Sequence, residues 1–388
     1  MAELSTIPLR GELANLKVAL VHDFLNQAGG AERVLDVLHA MWPKAPIYTL
    51  AHNPAAIPAS RYAGAEIRTS FIQRLPGGVR YYKWYLPLMP RAIESFDFSG
   101  FDLVLSDSSA FAKGGRVPKT ALNACYLHTP TRYLWSDRDT YWKTAPVPAF
   151  VRPLLTAALP GLARWDFAAA QRPDLYIANS QIVAKRLSKY YHRTANAVLF
   201  PPVNTDQFKP SAIVKDYWLT AARLEPYKRL DLILDAFAKL GWPLKVVGTG
   251  SRKTELAKWA RYSNITFVGR VSDNELATLY AEARAFVFAA NEDAGIVPLE
   301  AMAAGRPVLA YGAGGSLESV QPGVTGELFE QQTVDSLVTA LEKFKPDQYD
   351  SAKIRAHAET FSVAHFSDTL QSILIQSLNQ RKEHHGTA

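Results

Sequence analysis

The sequence predicts an α/β protein built from two doubly wound domains, and three observations lead there. Short apolar, β-branched runs alternate with amphipathic stretches along most of the 388 residues, which is the pattern of parallel sheets covered by helices on both faces. That length exceeds what a single hydrophobic core usually spans. The alternation breaks once, at 200–210 (FPPVNTDQFKP), where three prolines and several turn formers cluster as in a connection between domains.

In chain order, the strand-like runs are 17–22, 103–106, 121–127 and 174–179, then 217–222, 244–248, 265–269, 285–290 and 307–311. Apolar residues at helical spacing mark 31–41, 182–191, 230–239 and 274–283. The expected domains are 1–203 and 204–388, with a cleft between the carboxyl ends of their sheets, where open α/β folds take ligands. The last helical stretch, about 365–379, has no strand after it and is expected to pack back on the first domain.

Apolar residues make up 48% and charged residues 20% of the chain, with no low-complexity tract, so the composition is globular rather than disordered. One cysteine, Cys125, excludes an intramolecular disulfide and sits in an apolar run as a buried core thiol. The opening MAELSTIPLRGELANL has no unbroken apolar stretch of the secretory kind. The nearest approach to a spanning segment, 150–165, is interrupted by Arg152, Pro153, Pro160 and Arg164. The expectation is a cytoplasmic protein, at most peripheral on a membrane. The net charge of +7 is uneven, +9 over residues 1–200 and −2 over the rest. A basic first half suits anionic lipid, a phosphorylated acceptor or nucleic acid, and charge does not choose among them.

The richest segment is 286–315, FVFAANEDAGIVPLEAMAAGRPVLAYGAGG. An apolar strand ends at Asn291, a turn carries Glu292, Asp293 and Gly295, and a helix opens near Val297 with Pro298 in its first turn, where the missing N–H costs nothing. The amides of Gly295, Ile296 and Val297 then face a ligand with the positive end of the helix dipole. Gly305 ends the helix and is expected to allow close packing on the strands. In 220–232, TAARLEPYKRLDL, Arg223 and Lys228 lie at a strand's carboxyl end, where two cations can hold a diphosphate. In 20–33, LVHDFLNQAGGAER, Gly29 and Gly30 let backbone amides approach a phosphate. The Gly248–Gly250 pair reads as a strand-to-helix turn. In 126–135, YLHTPTRYLW, His128 follows an apolar strand, with Arg132, Tyr133 and Trp135 offering charged and flat surfaces to a sugar. Asn179 and Ser180 precede a helix, where Ser180 also fits a plain N-cap.

Taken whole, E-D-x-G-I-x-P-x-E-A-M-A-A-G-x-P-V resembles the E-x7-E signature of retaining glycosyltransferases of family 4, which have the GT-B fold. The resemblance implies that 1–203 binds the acceptor and 204–388 the nucleotide sugar, that Glu292 contacts the donor sugar and Glu300 the nucleotide ribose, that Arg223 and Lys228 form the R-x4-K phosphate clamp, and that Gly29 and Gly30 belong to the first loop. The HTPTRYLW string resembles members that build bacterial O-antigens and exopolysaccharides, often mannosyltransferases. It implies site roles for His128, Arg132, Tyr133 and Trp135, and the N-S pair implies one for Ser180. Ala294 departs from the family, which often has an aromatic residue there, and this bears on the shape of the pocket wall.

The implied function is transfer of a hexose, mannose from GDP-mannose by branch resemblance, onto a lipid-linked saccharide such as a polyprenyl-diphosphate carrier, with a UDP-sugar donor as the alternative. Retention by double displacement needs a carboxylate nucleophile that no residue clearly supplies, so a front-face route is preferred. No cofactor is expected, the nucleotide sugar being a substrate. Asp137-Arg138-Asp139 resembles a metal-binding D-x-D but reads as a solvated turn, and no metal is expected. The segment 79–96, VRYYKWYLPLMPRAIESF, reads either as a helix with one solvated face or as an interfacial stretch pressing Arg80, Lys83, Arg91 and aromatic rings onto anionic lipid. Against these stand a phosphorylase, which would need a lysine holding pyridoxal phosphate, and an oxidoreductase, which would show G-x-G-x-x-G where this chain has Gln27, Ala28, Gly29 and Gly30. A nucleic-acid module would have no use for the Glu292 to Glu300 segment, and nucleic acid is not an expected partner.

Overall fold

Every residue of the first strand, β1 (Val18–His22), is buried, as a strand must be when both faces of its sheet are covered. The structure is a computed structural model that describes residues 4–27, 29–138 and 152–386. It divides into one unit of Glu3–Phe200 with Ser367–Ala388 and another that contains Pro201–Phe366.

In the first unit β1 leads into α1 (Gly30–Met41), β2 (Ile47–Thr49), β3 (Ile67–Thr69) and α2 (Met89–Glu94). Then come β4 (Leu103–Ser108), β5 (Leu122–Leu127), α3 (Arg152–Ala169), β6 (Leu175–Ala178), α4 (Gln181–Tyr191) and β7 (Ala197–Val198). All strand pairs are parallel, in the order β3-β2-β1-β4-β5-β6-β7. On one side Val21, Tyr48 and Val104 pack with Ile93 and Leu155, and Cys125 and Tyr176 pack with Val183 and Leu187 of α4. Burying such a side chain contributes about 1.5–3 kcal/mol.

The second unit repeats the plan. It contains β8 (Trp218–Ala221), α5 (Leu230–Leu240), β9 (Leu244–Val247), α6 (Lys253–Leu256), β10 (Ile265–Gly269) and α7 (Asp273–Glu282). It continues with β11 (Ala285–Phe288), α8 (Ile296–Ala303), β12 (Val308–Tyr311), α9 (Ser316–Ser319), β13 (Gly326–Phe329), α10 (Val334–Lys343) and α11 (Ser351–Glu359). The parallel order is β10-β9-β8-β11-β12-β13. In each sheet the order reverses beside its first strand, at β1/β4 and at β8/β11, and such switch points are where doubly wound sheets bind ligands.

Four strands, β2, β3, β7 and β13, carry no signal in the sequence reading. The first three have only two or three residues and β13 has four, opening on glycine, too little for periodicity to register. The segment 79–96 is not one helix: a 3-10 stretch, Tyr82–Leu88, holds Pro87 and gives way to α2. Helix α3 runs through Pro160, and among the described residues no helix is long and apolar enough to cross a membrane. Gly305, at φ +71°, does not meet the strands. A Cβ there would lie 2.1 Å from Ser351 Oγ and 3.2 Å from Pro210.

The connection after Phe200 is fastened rather than loose. The Arg355 guanidinium donates to the carbonyls of Thr205 at 3.1 Å, Phe208 at 2.5 Å and Ala303 at 2.6 Å. Val203 accepts from the Val363 amide at 3.2 Å and donates to Phe361 O at 2.8 Å. From there α12 (Val363–Gly386) begins. Its Leu370 and Leu374 are fully buried, Gln371 Oε1 accepts from the Arg10 amide at 2.7 Å, and Arg381 meets Asp174 at 3.0 Å.

Candidate active site

In the second unit the chain leaves β8 at Ala221 and turns through Arg223 to a 3-10 turn, Pro226–Lys228. Glycine makes this turn possible from below: a Cβ on Gly248 would lie 1.9 Å from Ala222 O, and one on Gly250 would lie 2.6 Å from the Leu224 amide nitrogen. The Gly248–Gly250 pair is thus more than a strand-to-helix turn, since it supports the Arg223 turn. Arg223 is exposed and donates to Tyr227 Oη at 2.8 Å. Lys228 is half-buried, and its ammonium is bonded to Glu292 Oε1. Burial and the Arg223 charge push Lys228 down to about 7, while the Glu292 carboxylate against it favours the charged form.

The next residue, Arg229, holds a left-handed φ of +52°, a strained conformation for a side chain of this kind. Its guanidinium donates to Gln332 Oε1 at 2.9 Å, and the Gln332 amide donates to Ala289 O at 2.7 Å. This strut, absent from the sequence reading, ties the Lys228 turn to the end of β11. Beyond β11, Glu292 stands at the switch point, and its carbonyl accepts from the Gly315 amide at 2.7 Å. A Cβ on Gly314, at φ +64°, would fall 2.1 Å from Glu292 O, and one on Gly315 would fall 2.2 Å from Ala294 O. The glycine loop after β12 therefore shapes the turn that carries Glu292, and Ala294 is buried on it.

Gly295, at φ +73°, caps α8. The first-turn amides, those of Ile296 and Val297 included, have no acceptor within the helix. One turn on, Glu300 is buried and its Oε2 accepts from Tyr280 Oη at 3.0 Å. Tyr280 lies in the last turn of α7 and was not found in the sequence, where it looks like any apolar position of an amphipathic helix.

In the first unit the switch point holds charge. Asp23, just past β1, is buried and accepts from the amides of Ser109, Ala110, Phe111 and Ala112 at 2.6 to 2.8 Å, so its carboxylate is fully engaged. His22 Nδ1 bonds Asp107 Oδ2 at 2.8 Å, and its Nε2 lies 3.6 Å from Glu32 Oε1. Burial opposes charge on His22, but the two carboxylates outweigh it and push the ring up to about 10. Asp107, against burial, is held below the usual carboxylate range by His128 and His22. His128 Nε2 is bonded to Asp107 Oδ1. The Gly29 amide donates to Glu32 Oε2 at 2.8 Å, so the amide offered to a phosphate has an internal acceptor. Gly30 is the first residue of α1.

The residues after His128 are anchored from within. Trp135 Nε1 donates to Asp166 Oδ2 at 2.7 Å, Tyr191 Oη donates to the same oxygen at 2.6 Å, and Thr131 Oγ1 donates to Oδ1 at 2.8 Å. Lys113, buried as fully as Asp166, completes the set at 2.6 Å. Trp135 thus spends its polar edge on the core. Arg132 pairs with Asp137 at 2.7 Å, and Tyr133 is half-buried against the core. Ser180 is buried and caps α4, accepting from Val183 N at 3.3 Å, with its own hydroxyl donating to Asn179 Oδ1 at 3.2 Å. The D-x-D reading falls partly outside the described residues, at Asp139. Among the described residues no group of three or more His, Cys, Asp and Glu is placed to hold a metal.

Residues 204–361 match the family Glycosyl transferases group 1. Among curated relatives, the D-inositol 3-phosphate glycosyltransferase of Mycolicibacterium paratuberculosis is 33% identical over 51% of this chain and 51% of its own length. The GDP-mannose-dependent alpha-(1-6)-phosphatidylinositol monomannoside mannosyltransferase of Mycobacterium tuberculosis is 29% identical over 53% of this chain and 61% of its own. The chain spans about half the length of the first of these relatives. Among solved structures, Anabaena HepE in complex with UDP-glucose superposes with a TM-score of 0.68 at 20% identity, covering 92% of this chain and 99% of that one. The fold is GT-B, two Rossmann-like domains each with its own parallel sheet.

Proposed function

We propose that this chain is a retaining glycosyltransferase that moves a hexose, mannose from GDP-mannose in the favoured reading, onto a lipid-linked saccharide in cell-surface polysaccharide synthesis. The observation that carries the reading is the 292–300 segment at the β8/β11 switch point, with Lys228 bonded to Glu292 and Tyr280 bonded to Glu300. A donor diphosphate brings more negative charge to Lys228 than Glu292 does, so it takes over the ammonium and keeps it protonated. Glu292, released, accepts from a hydroxyl of the donor sugar, and Glu300 accepts from the ribose. In the front-face step the bond from the anomeric carbon to the phosphate oxygen breaks and the bond to the acceptor oxygen forms on the same side. The acceptor's proton passes to the departing diphosphate. Arg223 and Lys228 supply the positive charge that this step needs, and no metal is invoked. In the first unit, His128 contacts a saccharide hydroxyl.

GDP-mannose is favoured by the relative named for that donor and by the HTPTRYLW segment. A panel of nucleotide sugars, scored for nucleoside diphosphate release and for thermal stabilisation, tests the proposal. Saturating ligand stabilises the native state by about 2.7 kcal/mol at a hundredfold excess over Kd. GDP-mannose should release GDP and raise Tm more than UDP-glucose does. A UDP-sugar in first place replaces the donor and keeps the transferase; release from no donor in the presence of lipid-linked and soluble saccharides overturns the reading.

A further inference from the structure

The first unit's switch point contains more titratable groups than a sugar contact needs. Glu32, on α1, bonds the Gly29 amide at 2.8 Å and stands 3.6 Å from His22 Nε2. His22, at the end of β1, bonds Asp107 at 2.8 Å, and Asp107, on β4, bonds His128 after β5. The row therefore runs from the glycine turn to the histidine across three adjacent elements of the sheet. Glu32, His22 and Asp107 are each at most 3% exposed, and burying three charges is costly unless each one meets its opposite.

The geometry points to Glu32, His22 and Asp107 as positioning residues that fix the orientation and the tautomer of His128. Asp107 accepts from Nε2 of His128, which leaves Nδ1 as the ring atom presented to a ligand. In the neutral ring Nδ1 is then the acceptor, suited to a sugar hydroxyl. Asp107 is held in turn from its far side by His22, which it and Glu32 keep charged. Other charged and titratable groups adjoin this row. On the Glu32 side, Arg61 is bonded to Asp36 at 2.6 Å, with Tyr62 beside it. On β5, Tyr126 and Cys125 lie near Asp107, both pushed upward by burial and thus neutral. None of these supplies an unbalanced charge next to His128.

The inference rests on the proposed transferase reading for what His128 does, but its test does not. The full chain, labelled with nitrogen-15 at histidine, is titrated by NMR without any substrate. Neutral His128 should be the Nε2–H tautomer. Glu32→Gln and His22→Gln should each loosen the hold on Asp107 and admit a fraction of the Nδ1–H form. Glu32→Gln keeps an acceptor for Gly29, so it remains informative where His22→Gln fails to fold. An Nδ1–H tautomer in the parent protein, or a tautomer ratio unchanged in a folded Glu32→Gln protein, overturns the relay. With an active donor from the panel, kcat/KM should fall in step with the Nε2–H fraction. A panel with no active donor sinks the transferase and leaves the NMR result to decide the relay.

Discussion

At the scale of residues, Lys228 and Glu300 touch the proposed donor at different ends and should fail differently. Lys228 matters most as charge builds on the departing phosphate, so Lys228→Ala should lower kcat by about 10² to 10³, or roughly 3 to 4 kcal/mol, the usual cost of one preorganised contact. Glu300, proposed to hold the ribose, would make nearly the same contact before and during reaction, so Glu300→Gln should mainly raise the donor KM. Steady-state kinetics with varied donor, on variants that melt near the parent temperature, separates them. A Lys228→Ala enzyme with normal kcat removes that lysine from the chemistry. Residues of this kind were legible because they sit in contiguous strings beside strand ends. Asp107, His22 and Tyr280 were not, because each acts through a partner tens of residues away that only the sheet order brings near. Asp107 did leave a trace, a carboxylate directly after the apolar run at 103–106, at the strand that adjoins the first.

At the scale of elements, the loops are held by what lies beneath them. Asp166 of α3 gathers Lys113, Thr131, Trp135 and Tyr191 from three different segments, and its carboxylate is fully buried. Asp166→Asn leaves the Lys113 ammonium buried without its counterion, and breaking such a pair costs about 3–5 kcal/mol. A midpoint in urea lowered to match, with m unchanged, is the expected result; an unshifted midpoint would mean that the pair is worth no more than its neutral replacement. Sequence patterning finds α3 poorly, since Pro160 and Arg164 break the apolar stripe. It misses β2 and β3 because three residues cannot show a period of two. The long buried strands and α5, with its regular apolar face, were plain for the opposite reason.

At the scale of the whole molecule, the excess charge belongs to residues 1–200, net +9 against −2 beyond. Exposed Tyr81 and Leu88 lie along the sequence among Arg80, Lys83 and Arg91. A protein so disposed should bind anionic liposomes, and the binding should fade as added salt shortens the Debye length from about 10 Å at 0.1 M. Sedimentation with neutral and anionic vesicles at low salt checks this, and equal binding to both, or none to either, counts against the membrane reading. Helix α12 adds a different constraint. Its residues from Ser367 onward belong to the unit that the chain otherwise completes at Phe200, and Leu370 and Leu374 are fully buried there. On a ribosome moving at about 5–20 residues per second, the first-made unit therefore waits roughly ten to thirty seconds, while all of 201–366 is synthesised, before the helix that covers it emerges. The half that starts first finishes last, and in that interval its uncovered apolar face is the part of the molecule most in need of a chaperone.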